Sequence, residues 1–149
     1  MCRDFEAVNV KQIKQWIDDK KIIAIFHPLS FIGAESAYLA NAAACSADEG
    51  KFLQVHEALY ANQAATENSG KWTPQALIGL GIELKLNSKN WSECVTSGKY
   101  QDWVNNVAAD GAKKNVNSTP TVFINGKEME RTSANYFTAD GFKKQVFNS

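Results

Sequence analysis

Apolar residues recur at helical spacing over residues 3 to 19. Phe5, Val8, Ile13, Trp16 and Ile17 fall near one face, while Arg3, Glu6, Lys11, Lys14 and Asp18 cover the rest. That periodicity predicts an amphipathic helix, although Met1-Cys2 at its start supplies no Ser, Thr, Asp or Asn cap. The pattern then changes. Ile22-Ile23-Ala24-Ile25-Phe26 is apolar without alternation, which predicts a strand buried on both faces, as in a parallel sheet. His27-Pro28 ends it, because proline brings no N–H to a ladder.

A helical block of roughly 80 residues follows. The alanine-rich stretch 34–47 has high helix propensity and small side chains for close packing, with Gly50 as a stop. Residues 51–62 group Phe52, Val55, Leu59 and Tyr60, and the polar tract Gln63 to Lys71 reads as a loop. Thr73-Pro74 opens the next helix, a capping threonine before proline at the first helical position. Leu77, Ile78 and Leu80 pack there, and Gly79 and Gly81 weaken it. Ser88 is expected to cap a short helix carrying Trp91 and Cys94 that ends near Gly98. A further helix from Lys99 to Lys114 presents Tyr100, Trp103, Val104 and Val107.

Alternation of another kind closes the chain. Val122-Phe123-Ile124 reads as a buried strand, and Pro120 belongs at its start. Asn125-Gly126 tolerates positive φ at both positions and is a strong hairpin signal. A return strand near Lys127 to Arg131, a loop, and a last helix capped by Thr138 with Phe142, Val146 and Phe147 on one face complete the order. That order is helix, strand, helical block, hairpin, helix.

Composition narrows the possibilities. With 149 residues and 44% hydrophobic content, the chain can bury a core as one domain and is not disordered. Sixteen basic and sixteen acidic residues cancel, and no basic stripe appears, which argues against nucleic acid and anionic membranes as partners. No apolar run approaches the roughly 20 residues of a spanning helix, and Met1-Cys2-Arg3-Asp4 lacks a signal-peptide pattern. Cys2, Cys45 and Cys94 match no zinc spacing and form no C-x-x-C. An odd count leaves a free thiol, an intermolecular partner or a missing piece. His27 and His56 lie far apart in unrelated contexts, so no metal site is expected; no cofactor is expected either. Trp72, Trp91 and Trp103 are read as packing residues and not as a ligand cage.

The element order and several short pieces together resemble the DsbA-like thiol-disulfide oxidoreductases of the actinobacterial type, which are thioredoxin-fold proteins with a helical insertion. The matching pieces are Cys2-Arg3-Asp4-Phe5-Glu6, His27-Pro28-Leu29-Ser30-Phe31-Ile32-Gly33, Ala42-Ala43-Ala44-Cys45 with Gly50-Lys51-Phe52, and His56-Glu57-Ala58-Leu59-Tyr60-Ala61-Asn62-Gln63. They continue with Trp91-Ser92-Glu93-Cys94-Val95 and Thr119-Pro120-Thr121-Val122-Phe123-Ile124-Asn125-Gly126. The resemblance implies an α/β fold: a thioredoxin-like part at 1–28 and 115–149 around an all-helical insertion at about 30–114, in a single domain lacking the first, central strand.

The family's site is Cys-Pro-X-Cys at a helix N-terminus. Met1 matches X and Cys2 matches the second, resolving cysteine. The nucleophilic cysteine and its proline would lie just before Met1, so a truncated chain with impaired catalysis is expected. Thr119 and a cis Pro120 would be the substrate-binding half of the site, pairing with an extended peptide as an added strand would. The resemblance further implies a structural disulfide between Cys45 and Cys94, and hence an oxidising, extracytoplasmic location for the full-length parent. The implied function is disulfide formation or exchange in exported proteins, with cysteine-containing protein substrates and a redox partner protein. The rival reading is a non-catalytic thioredoxin-fold module that binds peptide, in the manner of a chaperone.

Overall fold

The computed structural model describes residues 1–148. Its backbone divides into two compact units, Met1–Phe26 together with the chain from Val116 onward, and His27–Asn115.

The first unit is built on α1 (Cys2–Asp18). Phe5, Asn9, Ile13 and Trp16 form its buried stripe, spaced by four, four and three residues along one face. Val8, expected in that stripe, is exposed, and the polar Asn9 is fully buried instead. The burial is tolerated because the amide is paired. Asn9 Nδ2 donates to the Tyr136 carbonyl at 2.8 Å, and Gln12 Nε2 donates to Asn9 Oδ1 at 2.8 Å. Below α1 lie Met129, Tyr136 and Phe142. Phe5 meets the Phe142 ring edge-on at 5.2 Å, and Trp16 stacks on it at 6.0 Å. Aromatic burial of this kind is the main stabilising term of so small a core, at about 1.5–3 kcal/mol per fully buried large side chain.

The hairpin pairs β1 (Phe123–Ile124) with β2 (Lys127–Glu128), antiparallel, with Ile124 opposite Lys127. Asn125 and Gly126 make the turn at φ 50° and 84°, as two-residue hairpins require. The ladder is shorter than the sequence suggests, and Phe123 is 44% exposed, so Val122–Ile124 is not a buried strand. Residues 22–26 also differ from expectation. They join no ladder among the described residues. Ile22, Ala24 and Phe26 pack on the Phe5–Tyr136 cluster, but Ile23 and Ile25 are 93% and 76% exposed. That is the period of an extended chain with one covered face. Burial on both faces needs hydrogen-bonded neighbours and a layer on each side, which this unit does not provide.

The expected loop after the hairpin contains α7 (Ser133–Phe137), whose cap Thr132 accepts from the Asn135 N–H at 3.1 Å. Thr138 then caps α8 (Ala139–Asn148), accepting from the Gly141 N–H at 3.0 Å. Gly141 is so close to α7 that an added β-carbon would sit 1.9 Å from the Ala134 carbonyl oxygen.

The second unit holds α2 (Ala34–Ala47), α3 (Phe52–Ala61), α4 (Pro74–Glu83), α5 (Ser88–Ser97) and α6 (Gln101–Lys113). Thr73 caps α4 through the Ala76 N–H. Asn87, and not Ser88, caps α5, accepting from the Asn90 N–H at 3.1 Å; Asn and Ser are comparable caps, so the sequence did not separate them. Gly98 ends α5 at φ 62°. Trp91 is buried at the centre, and its indole N–H donates to the Leu77 carbonyl at 2.9 Å. On α6, Val104 and Val107 turn inward, whereas Trp103 is exposed.

Candidate functional site

Cys2 is the first residue of α1, half-buried, and the one free cysteine among the described residues. One turn later, Phe5 delivers the helix to the core. Its ring lies 5.7 Å from that of Tyr136, which has no exposed surface. Tyr136 in turn accepts, at its hydroxyl, the Val122 backbone N–H at 3.0 Å. Two residues before Val122 is Pro120, and the Thr119–Pro120 peptide is cis. Tyr136 therefore joins the helix that begins at Cys2 to the segment that begins at Pro120.

The same loop is also held by Arg131. One guanidinium nitrogen, Nη1, donates to Ser118 Oγ at 2.6 Å. The other, Nη2, donates to the Ser118 carbonyl at 3.3 Å and to Thr121 Oγ1. Thr121 Oγ1 also donates to the Ser118 carbonyl at 2.7 Å. The guanidinium carbon stands 5.8 Å from the Tyr136 ring centroid, within cation–π range. Between the clamped Ser118 and Thr121, the Thr119 backbone makes no hydrogen bond among the described residues. Ser118, Arg131 and Tyr136 escaped the reading of the sequence. Arg131 was within reach, since counting outward from Ile124 opposite Lys127 sets residue 131 across from residue 120.

The other two cysteines serve elsewhere. Cys45 of α2 and Cys94 of α5 form a disulfide with Cα atoms 5.9 Å apart, and both are buried. A surface cavity of about 810 Å³ adjoins this bond and includes Asp48, Glu93 and Lys99 in its lining. None of Cys2, Thr119 or Pro120 lines it. Hydrogen bonds from Lys99 first, and Tyr100 second, hold the Asp48 carboxyl below its ordinary range, while hydrogen bonding to Asp48 first, and Tyr100 second, raises the Lys99 ammonium. His56 sits between Phe52 and Tyr60 on α3, in ring contact with both. No group of three or more His, Cys, Asp or Glu side chains is placed to hold a metal among the described residues. No described helix is long and apolar enough to cross a membrane.

The chain matches MdbA, a thiol-disulfide oxidoreductase from Actinomyces oris, at 25% identity and a TM-score of 0.81, covering 99% of this chain and 74% of that one. It matches the reduced disulfide bond oxidoreductase DsbG from Mycobacterium tuberculosis at 27% identity and a TM-score of 0.79, covering 99% and 71%. The oxidised DsbA of M. tuberculosis gives 28% identity and a TM-score of 0.73, covering 88% and 69%. A stretch of 101 residues is 34% identical to the Na(+)/H(+) antiporter NhaA 1 of Mycobacterium sp. strains KMS, JLS and MCS, covering 68% of this chain. The match spans only 15% of the length of those curated relatives.

The fold is thus thioredoxin-like with a reduced sheet and a DsbA-type helical insertion. A family model described as Thioredoxin matches residues 1–145. With nearly its whole length under that match, the chain belongs to the thioredoxin family.

Proposed function

We propose that the protein acts in thiol–disulfide exchange on cysteines of exported proteins, with Cys2 in the resolving position and Thr119–Pro120 receiving the substrate backbone. The observation that carries this reading is the joining of Cys2's helix to the cis Thr119–Pro120 loop through Tyr136. An unpaired Thr119 backbone can extend a peptide ladder by added hydrogen bonds, and a thiol at the first position of a helix is placed for exchange. The solved relatives named as a thiol-disulfide oxidoreductase and a disulfide bond oxidoreductase support it. The Cys45–Cys94 disulfide supports an oxidising, extracytoplasmic setting. In that setting a redox partner protein would renew the thiol state, and the helical unit would serve as an insertion within one functional domain.

Acting alone, Cys2 can form and release a mixed disulfide, whereas closing an intramolecular one takes a second free thiol. The Thr119 backbone, which makes no hydrogen bond among the described residues, also suits the second reading, a module that binds peptides without turnover. A short unstructured peptide whose cysteine carries thionitrobenzoate separates the two. The Cys2 thiolate attacks the peptide sulfur, the new Cys2–peptide disulfide forms, and thionitrobenzoate leaves with the bonding pair. The Cys2 proton goes to solvent. The exchange reading expects release faster than from a small disulfide with the same leaving group, and no release from Cys2→Ser. Peptide binding that persists without any release selects the binding module.

A further inference from the structure

We infer that Arg131 is a positioning residue for substrate capture, because it fixes the peptide plane whose other edge is the Thr119 N–H. The inference rests on the proposed role of Thr119 and adds the group that orients it. Thr119–Pro120 is the one cis peptide bond among the described residues, so the Ser118–Thr119 peptide is trans. In a planar trans peptide the carbonyl and the following N–H point in opposite directions. The Ser118 carbonyl is held by Arg131 Nη2 at 3.3 Å and by Thr121 Oγ1 at 2.7 Å. The Thr119 N–H must therefore face away from Arg131, and no protein group among the described residues takes it up.

The fork matters as much as the charge. Arg131 reaches Ser118 Oγ with one nitrogen and both the Ser118 carbonyl and Thr121 Oγ1 with the other. A planar guanidinium meets such a pattern with little further ordering, whereas a lysine ammonium is a point charge on a flexible stem. Arg131 is itself seated over the buried Tyr136 ring at 5.8 Å. Without Arg131 the Ser118 carbonyl keeps the Thr121 Oγ1 bond alone, the plane between Ser118 and Thr119 is held less firmly, and an incoming strand must order it first. That loss falls on peptide capture and not on the sulfur chemistry at Cys2.

The test uses the full chain and the thionitrobenzoate peptide described above, with release followed against peptide concentration. For Arg131→Ala, the half-saturating peptide concentration should rise roughly tenfold, the equivalent of one lost charge-assisted hydrogen bond. The limiting rate, and the rate with a small disulfide, should stay as in the parent chain. Arg131→Lys should behave like Arg131→Ala, since charge alone does not restore the fork. If Arg131→Ala does not fold by circular dichroism, Arg131→Lys and Thr121→Val decide. A parent chain that shows no saturation by peptide defeats the proposed function itself. A parent chain that saturates, with unchanged half-saturation in the folded variants, overturns the role of Arg131.

Discussion

Gly79 and Gly81 offer a paired prediction in which one substitution stabilises and its neighbour destabilises. Both lie inside α4, where replacing glycine by alanine gains about 1 kcal/mol of helix propensity. At Gly79 an added β-carbon meets nothing within 4 Å, so Gly79→Ala should keep the whole gain. At Gly81 it would lie 2.1 Å from Trp91 Nε1 and 2.4 Å from Cδ1. Trp91 is only 1% exposed, so moving it disturbs the side chains packed around it. Displacing it adds overpacking strain of about 1–3 kcal/mol. It also strains the indole bond to the Leu77 carbonyl, and a buried donor left unpaired costs about another 1–3 kcal/mol. Gly81→Ala should therefore lose about 1–5 kcal/mol net of the propensity gain. Urea unfolding followed by circular dichroism measures both variants, and tryptophan emission should shift red in native Gly81→Ala. Equal stabilisation by the two substitutions would refute the close seating of Trp91 on α4.

Three further outcomes are expected. Tyr136→Phe keeps the ring against Phe5 but removes the acceptor of the Val122 N–H, so chemical denaturation should show a loss of about 1–3 kcal/mol. Replacing Cys45 and Cys94 by alanine opens a crosslink of sequence separation 49, and loop entropy puts the loss at about 4 kcal/mol, read as a lower urea midpoint than that of the unreduced parent. Asp48, whose carboxyl is lowered from 3.8, stabilises the fold at neutral pH, and that contribution disappears as pH falls through the folded-state value. The stability difference between the parent and Asp48→Asn, followed by thermal melts, should accordingly shrink towards zero below about pH 4. Lys99, raised from 10.5, has the opposite sign: its contribution is full below 10.5 and is lost as pH rises through its folded-state value.

Local chemistry carried most of what the sequence revealed. The Asn125-Gly126 turn, the Thr73-Pro74 start and the Gly98 stop each rest on a backbone preference that neighbouring residues cannot alter. Burial was harder to read wherever it depends on distant partners. Ile23 and Ile25 look like core residues by composition, and only the lack of a bonded neighbour leaves them outside. Asn9 looks like a surface residue, and only the Tyr136 carbonyl admits it to the core. Helix α7 is five residues long, too short for a period to register. Within the candidate site, Cys2, Thr119 and Pro120 were visible through their resemblance to a motif. The residues that hold the loop were not, because Arg131 and Tyr136 act through hydrogen bonds spanning 10 to 14 positions.

Peptide mapping by mass spectrometry, after incubation with a disulfide-linked cysteine peptide, tests most directly where exchange occurs. The mapping should find one adduct, on Cys2, with Cys45 still bonded to Cys94 and no adduct on Cys2→Ser. An adduct on Cys45 or Cys94, or none on a folded parent chain, would contradict the assignment of exchange chemistry to the start of α1.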